Sequence, residues 1–219
     1  MAEKTSHMMK SWFKKSPLYI PLRNGLSKWR HLRELRDWEQ GKHDLPVPHL
    51  IKQKTLVSLA QRHNINILVE TGTYYGDMVE ALKDKFDQIY SIELSRELHE
   101  LAKRRFSHDR HVILKQGDSG HEISSILSGL DQPALFWLDA HYSAGVTSRA
   151  DKDTPVLDEL NHILRDRFRH IVVIDDARCF GADPAYPSIE QLREFVLAIA
   201  PDVSIAIEND GIQIVPAMA

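Results

Sequence analysis

From Ile65 onward, short apolar runs alternate with stretches whose apolar positions recur at helical spacing, the pattern of βαβ units feeding a parallel sheet. The runs predict strands at Ile67–Thr71, Gln88–Glu93, Val112–Gln116, Ala134–Asp139 and His170–Asp175. Between them the periodicity predicts helices at Asp77–Lys85, Ser95–Phe106, Glu122–Ser128 and Pro155–Arg167, the last with Thr154 as N-cap and Pro155 at the first helical position. A further helix is expected at Ile189–Ala200. Two closing runs, Val203–Ile207 and Ile212–Val215, flank Glu208-Asn-Asp-Gly211, whose chemistry suits a tight turn with positive φ and hence an antiparallel hairpin. The expected fold is α/β: a doubly wound sheet, mostly parallel, ending in an antiparallel C-terminal hairpin strand.

The first 45 residues break this rhythm. Pro17, Pro21 and Gly25 interrupt them, with one short helix expected at Ser27–Glu39, and Pro46 and Pro48 close the segment before a helix at His49–His63. The domain plan is therefore a basic N-terminal arm over 1–45 and one domain over 46–219.

Composition sharpens that division. Residues 1–42 hold ten Lys/Arg against four acids, a net of +6, which leaves −9 for the rest of a chain whose total is −3. The arm also carries Trp12, Phe13, Tyr19, Trp29 and Trp38. It can be read as a solvated arm packing across the domain or a partner subunit, as in a homodimer, or as a peripheral contact with an anionic membrane surface. The acidic remainder argues against nucleic acid as a partner. Cys179 is the single cysteine, so neither an intramolecular disulfide nor a cysteine zinc site is expected. No apolar run approaches the ~20 residues of a membrane span and no secretory block opens the chain, so a cytoplasmic location is expected.

Candidate chemistry gathers at the predicted strand ends, where doubly wound sheets bind ligands. Leu68-Val-Glu-Thr-Gly-Thr-Tyr-Tyr-Gly76 ends an apolar run in an acid and continues as Glu-x-Gly-x-x-x-Gly. Such a strand opening into a Gly-permitted turn is expected to leave backbone N–H groups free at the next helix's start. Glu70 is a poor neighbour for a pyrophosphate and suits a cationic or hydroxyl-bearing ligand better. The spacing also differs from Gly-x-Gly-x-x-Gly and from the lysine-containing phosphate loop.

Glu93 ends the second run, 21 residues beyond Gly72, where an acid can accept from both hydroxyls of a ribose. Gly117-Asp118-Ser119 ends the third; Asp118 either accepts from an exocyclic amine or forms a turn before the next helix. The fourth and fifth runs end Leu135-Phe-Trp-Leu-Asp139-Ala-His141 and Ile171-Val-Val-Ile-Asp175-Asp176-Ala-Arg178. If these strands are neighbours, Asp139, Asp175 and Asp176 converge, a costly arrangement unless a cation neutralises it. Hard carboxylate oxygens suit Mg²⁺ or another divalent cation.

His141 is the leading base candidate, or else a residue that orients Asp139. Arg178 is either a grip for a substrate anion or a structural partner of the two acids. His162 and His170 are expected at the surface or at helix ends, with no role. The polar stretch 143–153 and Phe180–Pro187 suit the walls of a hydroxyl-rich acceptor pocket.

In their order these segments resemble the class I S-adenosylmethionine-dependent methyltransferases, over about Ile65 to Pro216. The pattern Asp139 with Asp175-Asp176 is similar to the metal-dependent O-methyltransferases of the catechol and the macrocin and novobiocin sugar-tailoring types. That resemblance implies a Rossmann-like fold whose sheet closes with one reversed strand, and S-adenosylmethionine held by Glu70, Gly72, Thr73, Gly76, Glu93, Asp118, Ser119 and Asp139. It implies a divalent ion on Asp139, Asp175 and Asp176, catalysis by Asp139 and His141, and a sugar or other small-molecule hydroxyl as acceptor. The sugar-tailoring enzymes often show Asp-Gly-Asp-His where this chain has Asp139-Ala140-His141, so the resemblance fixes no single base. Competing readings are a metal-free methyltransferase with His141 as base, a nicotinamide-dependent oxidoreductase, and a non-catalytic module of the same fold. The missing Gly-x-Gly-x-x-Gly and the C-terminal hairpin argue against the oxidoreductase.

Overall fold

A computed structural model describes residues 19–41, 46–139 and 155–217. Cα proximity divides the chain into two units. The smaller holds helix α1 (Tyr19–Glu39) and Pro48–Leu50; the larger holds Ile51 onward together with 45–47.

Helix α1 starts eight residues before the expected Ser27. Pro21 falls in its first turn, where backbone N–H groups have no intrahelical acceptor, so proline is tolerated there. Gly25 lies inside the helix at a cost of roughly 1 kcal/mol relative to alanine, which the helix absorbs. Arg30 and Glu34 pair one turn apart, and Trp29 is 79% exposed.

Helix α2 (His49–His63), which belongs to the larger unit from Ile51 on, precedes strands and helices in strict alternation: β1 (Ile67–Thr71), α3 (Asp77–Leu82), β2 (Gln88–Glu93), α4 (Arg96–Arg105), β3 (Val112–Gln116), α5 (Ser119–Gly129), β4 (Leu135–Leu138), α6 (Val156–Leu164), β5 (Ile171–Ile174) and α7 (Ile189–Ile199). Strands β6 (Val203–Glu208) and β7 (Gly211–Pro216) close the chain. One seven-stranded sheet results, in the order β3-β2-β1-β4-β5-β7-β6. The first five strands are parallel, and β7 runs antiparallel to both β5 and β6. The expected architecture is present.

Alternate residues of the central strands feed two separate cores, as the period of two requires. Ile67, Val69, Phe136, Leu138, Val172 and Ile174 pack with Ile123, Leu160, Ile163 and Val196 of α5, α6 and α7. Leu68, Leu135, Trp137, Ile171 and Val173 pack with Leu56, Leu59, Val79 and Leu82 of α2 and α3. Covered on both faces, β1, β4 and β5 are buried along their whole length, whereas edge strand β6 is largely exposed.

The hairpin turn places Asn209 and Asp210 at φ 50° and 58°, with Glu208 opposite Gly211. Two central residues with positive φ make a type I′ turn, the geometry that Asn-Asp-Gly favours. Three further helix starts differ from expectation, that of α4 by one residue because Ser95 is its N-cap. Helix α5 begins at Ser119 rather than Glu122, with Asp118 as its N-cap residue. Helix α6 opens at Val156 with Pro155 in the N-cap position, and Thr154 lies outside the described residues. Among the described residues, no helix is long and apolar enough to cross a membrane.

The order of the sheet locates the site. From β1 the chain winds outward through β2 and β3; it then returns to β4 on the other side of β1 and proceeds to β5. The winding reverses between β1 and β4, and in doubly wound sheets ligands bind outside the carboxyl ends of strands at such a reversal.

Candidate active site

Leaving β1, the chain turns through Gly72 at φ 84°, Tyr74 at φ 50° and Gly76 at φ 77°. Four N–H groups of this turn, those of Gly72, Thr73, Tyr74 and Gly76, are engaged. Gly72 and Thr73 both donate to the Ile92 carbonyl (3.0 and 3.1 Å), Gly76 donates to Thr73 O (2.7 Å), and Tyr74 N–H donates to Glu93 Oε2 (2.7 Å). The tip of β2 lies alongside the turn and takes the donors of Gly72, Thr73 and Tyr74. Gly76 has a packing reason as well: a Cβ there would stand 2.6 Å from a ring carbon of Phe106.

Glu70 sits inside the sheet, 2% exposed. Ser91 donates to its Oε2 (2.5 Å), and Thr73 Oγ1 lies 2.6 Å from Ser91 Oγ. Burial pushes the Glu70 carboxyl up to about 8 against the pull of the Ser91 hydrogen bond, and the charges of Asp139, Glu93 and Asp77 add to the rise. At neutral pH it is thus largely protonated and ties β1 to β2 and to the turn. Its neighbour Thr71 has a buried hydroxyl with no hydrogen-bond partner.

Glu93 at the end of β2 is buried, and its two oxygens accept from Tyr74 N–H and Ser95 N–H (2.8 Å). Each oxygen keeps a second lone pair for a ligand hydroxyl. Asp118 is exposed and makes no side-chain cap bond. Ser119 instead hydrogen-bonds Glu159, a buried acid of α6 that sequence reasoning missed. Burial pushes Glu159 up to about 7; Ser119 opposes the shift, and Asp118, Asp139 and Asp158 reinforce it. A signal was present, since Glu159 shares the buried face of α6 with Val156, Leu160 and Ile163.

Parallel pairing of β4 with β5 brings their acids together. Asp139, Asp175 and Asp176 each offer a carboxylate oxygen, and these atoms all lie within 4.8 Å of one another. Asp139 is half-buried; the other two are buried. Asp176 adopts φ 58°, a left-handed conformation that Asp tolerates better than most residues, and its N–H donates to Asp175 Oδ1 (2.8 Å).

Among the described residues, two cations face this cluster. Lys52 of α2, also missed from sequence, places Nζ 2.5 Å from Asp175 Oδ2 and 3.5 Å from Asp176 Oδ1. Arg178 donates to Asp176 Oδ1 (2.6 Å) and to Asp210 Oδ2, and its backbone N–H donates to Asp210 Oδ1 (2.9 Å). Of the two roles open to Arg178, the structure displays the structural pairing. Burial pushes Asp175 up to about 6, with Lys52 pulling it down and Asp176 and Asp139 adding to the rise.

His141 lies outside the described residues, as does the stretch 143–153. His170, expected at the surface, is buried: Nε2 donates to Asp166 Oδ1 (3.0 Å) and Nδ1 accepts from Ala134 N–H (3.0 Å). Burial lowers its pKa, so it serves as a neutral strut between β5 and the entry to β4. His162 is exposed beside Ser124, as expected.

No protein-family model matches the chain, and no curated protein matches it in sequence. Its fold matches solved structures at low identity. An O-methyltransferase from Bacillus cereus in complex with SAH superposes with a TM-score of 0.55 at 15% identity, covering 84% of this chain and 90% of that one. The O-methyltransferase TomG from Streptomyces achromogenes, in complex with SAM, gives 0.55 at 19% identity over 88% and 90%. The SAH-bound methyltransferase PaMTH1 from Podospora anserina gives 0.56 at 14% identity over 100% and 97%. The chain thus has the Rossmann-like fold that these methyltransferases share.

Proposed function

We propose that this protein is an S-adenosylmethionine-dependent O-methyltransferase, assisted by a divalent cation and acting on a hydroxyl of a sugar or other small acceptor. The observation that carries the reading is the meeting of Asp139, Asp175 and Asp176 beside Gly72, at the point where the sheet reverses its winding. Solved proteins of like fold include O-methyltransferases in complex with SAH and SAM, which supports the choice of methyl donor.

The donor set fits a hard cation. Among the described residues, three carboxylates with Asp210 behind them face Lys52 and Arg178, an excess of negative charge that suits an ion. The bound nucleoside would supply an electrophilic methyl group, and the ion would favour the ionised form of the acceptor hydroxyl. The protein's part is positioning. Glu93 offers its remaining lone pairs to ribose hydroxyls, Asp118 faces outward for an exocyclic amine, and Ser119 is braced by Glu159. Gly72 and Thr73 form the floor, Glu70 fixes Thr73 through Ser91, and Gly76 seats the first turn of α3 against Phe106. Asp139 orients the acceptor, and His141 takes its proton.

Calorimetry with S-adenosylhomocysteine and a labelled-methyl assay with and without chelator test this reading. Asp139→Ala and Asp176→Ala are expected to abolish transfer while nucleoside binding survives. Full activity in excess EDTA would remove the ion from the account. One observation favours a second, metal-free reading with His141 as base: the Lys52 ammonium already lies against Asp175 and Asp176.

A further inference from the structure

Lys52 is the cation that the strand-end acids hold. It projects from α2, a helix seated in the core by Leu56, Leu59 and Ala60, so its backbone is fixed by the fold. Its side chain is only 11% exposed, and its partners Asp175 and Asp176 are covered to a similar degree. Behind it the Trp137 ring centroid lies 6.0 Å from Nζ, so the ammonium is enclosed between an aromatic face and two carboxylates. A strongly hydrated point charge enters such a place only when its partners replace the lost water.

The pairing has a consequence for any second cation. Asp175 Oδ1 is engaged by the N–H of Asp176, and Oδ2 by Lys52. Asp176 Oδ1 is shared by Lys52 and Arg178. An ion bound among the three carboxylates, whose oxygens lie within 4.8 Å of one another, would stand close to the ammonium that already sits against two of them, and two cations so placed repel strongly where burial weakens screening.

We propose that Lys52 is the resident cation of this edge, that a divalent ion binds only by displacing it from Asp175 and Asp176, and that it thereby sets the ion affinity of the site. The inference rests on the ion assignment made above. Lys52 is a positioning residue in this account: it holds the acids in ligand geometry when no ion is bound and withdraws when one is. A purely structural lysine would stabilise the acids without competing for them.

The test uses the full chain with Mn²⁺ as probe, comparing the unsubstituted protein with Lys52→Met and Lys52→Arg. Free Mn²⁺ is read by electron paramagnetic resonance and unfolding by thermal melts with and without the ion. Lys52→Met is expected to bind Mn²⁺ at least ~10-fold more tightly, because a competing charge is gone. Without ion it should melt lower than the parent, and Mn²⁺ should raise its melting temperature more than it raises the parent's. Lys52→Arg, which keeps the charge, should not bind more tightly than the parent. A readout on the unsubstituted protein needs no variant to fold: labelling of Lys52 by an amine reagent, followed by mass spectrometry, should rise as Mg²⁺ is added. If the parent binds Mn²⁺ and Lys52→Met binds no better, or if Lys52 labelling stays constant across that titration, the displacement idea fails while the ion assignment stands. If neither protein binds Mn²⁺ at millimolar concentration, both fall together.

Discussion

Gly72 and Asp139 meet at the ends of the first and fourth strands so closely that a Cβ on Gly72 would stand 3.1 Å from Asp139 Cβ and 3.3 Å from its Oδ2. The contact follows from the register, in which Thr71 pairs with Leu138 and the next residue of each strand leaves the sheet at the same level. Gly72 therefore meets two demands at once, a φ of 84° and the absence of a side chain next to the acid proposed to orient the acceptor.

Gly72→Ala should fail on both counts. The positive φ and the crowding against Asp139 together are expected to cost about 1–3 kcal/mol in urea unfolding. Methyl transfer should fall with it, because Asp139 has to move. A variant as stable as the parent, with Asp139 chemistry intact, would show that the turn has room the geometry denies.

Glu70 makes the stability of the protein depend on pH with a defined sign. Its folded carboxyl is raised to about 8 from an unfolded value near 4.5, so between those limits the folded state holds a proton that the unfolded state has released. Stability from this group is complete at acid pH, declines as pH rises through that window, and is flat above about 8. Glu70→Gln keeps an acceptor for Ser91 and cannot ionise. Its stability relative to the parent should therefore grow from pH 4.5 to 8, by on the order of 3 kcal/mol, in urea titrations at several pH values. Parallel curves for the two proteins would contradict the burial argument.

The same two residues show what sequence could and could not reveal. Strands β1, β2 and β3 begin and end where period and composition place them, because buried runs of Ile, Leu and Val stop at polar residues. Asp139 and Asp175 lie just past β4 and β5 rather than within them, since the ladder between the two strands ends at the pair Leu138 and Ile174. The acid triad was visible because carboxylates at the ends of apolar runs stand out. Lys52 and Glu159 were not noticed, although each lies on the apolar stripe of its helix, Lys52 one turn before Leu56 and Glu159 beside Leu160. A charge on a buried stripe implies a partner, but its identity depends on which helices flank which strands. The N–H groups of Gly72, Thr73 and Tyr74 fall in the same class: their acceptors Ile92 and Glu93 come from another strand, and no local pattern announces them.

Asp210 links the C-terminal hairpin to the acid cluster. It occupies the second central position of the type I′ turn, and its buried carboxylate receives both the backbone N–H and the guanidinium of Arg178, which in turn holds Asp176. Asp210→Ala leaves Arg178 with half its partners and puts a residue with a higher left-handed cost into the turn. A loss of about 2–4 kcal/mol is expected in urea unfolding. Asp210→Asn, which tolerates positive φ and keeps an acceptor, should lose less. Equal losses would mean that the charge of the ion pair, which both variants remove, carries the stability and that the turn adds nothing to it.

Two buried acids, Glu70 and Glu159, are raised to about 8 and about 7, so both are partly protonated in the neutral range. Both also feel the charge of Asp139. A cationic ligand placed beside Asp139 favours their ionised forms and should expel protons on binding, whereas a neutral ligand of the same shape should expel fewer. S-adenosylmethionine carries a sulfonium charge that S-adenosylhomocysteine lacks, which makes the pair a matched probe. Titration calorimetry at pH 7.5 in buffers of different ionisation enthalpy should report net proton release for the sulfonium ligand and less for the thioether. In Glu70→Gln and Glu159→Gln proteins the difference between the two ligands should shrink, by more in whichever variant removes the acid nearer the sulfonium. Equal proton release for both ligands in the parent protein would mean that the charge of the methyl donor lies too far from these carboxyls to be felt, and with that the placement of its methyl group beside Asp139 would be lost.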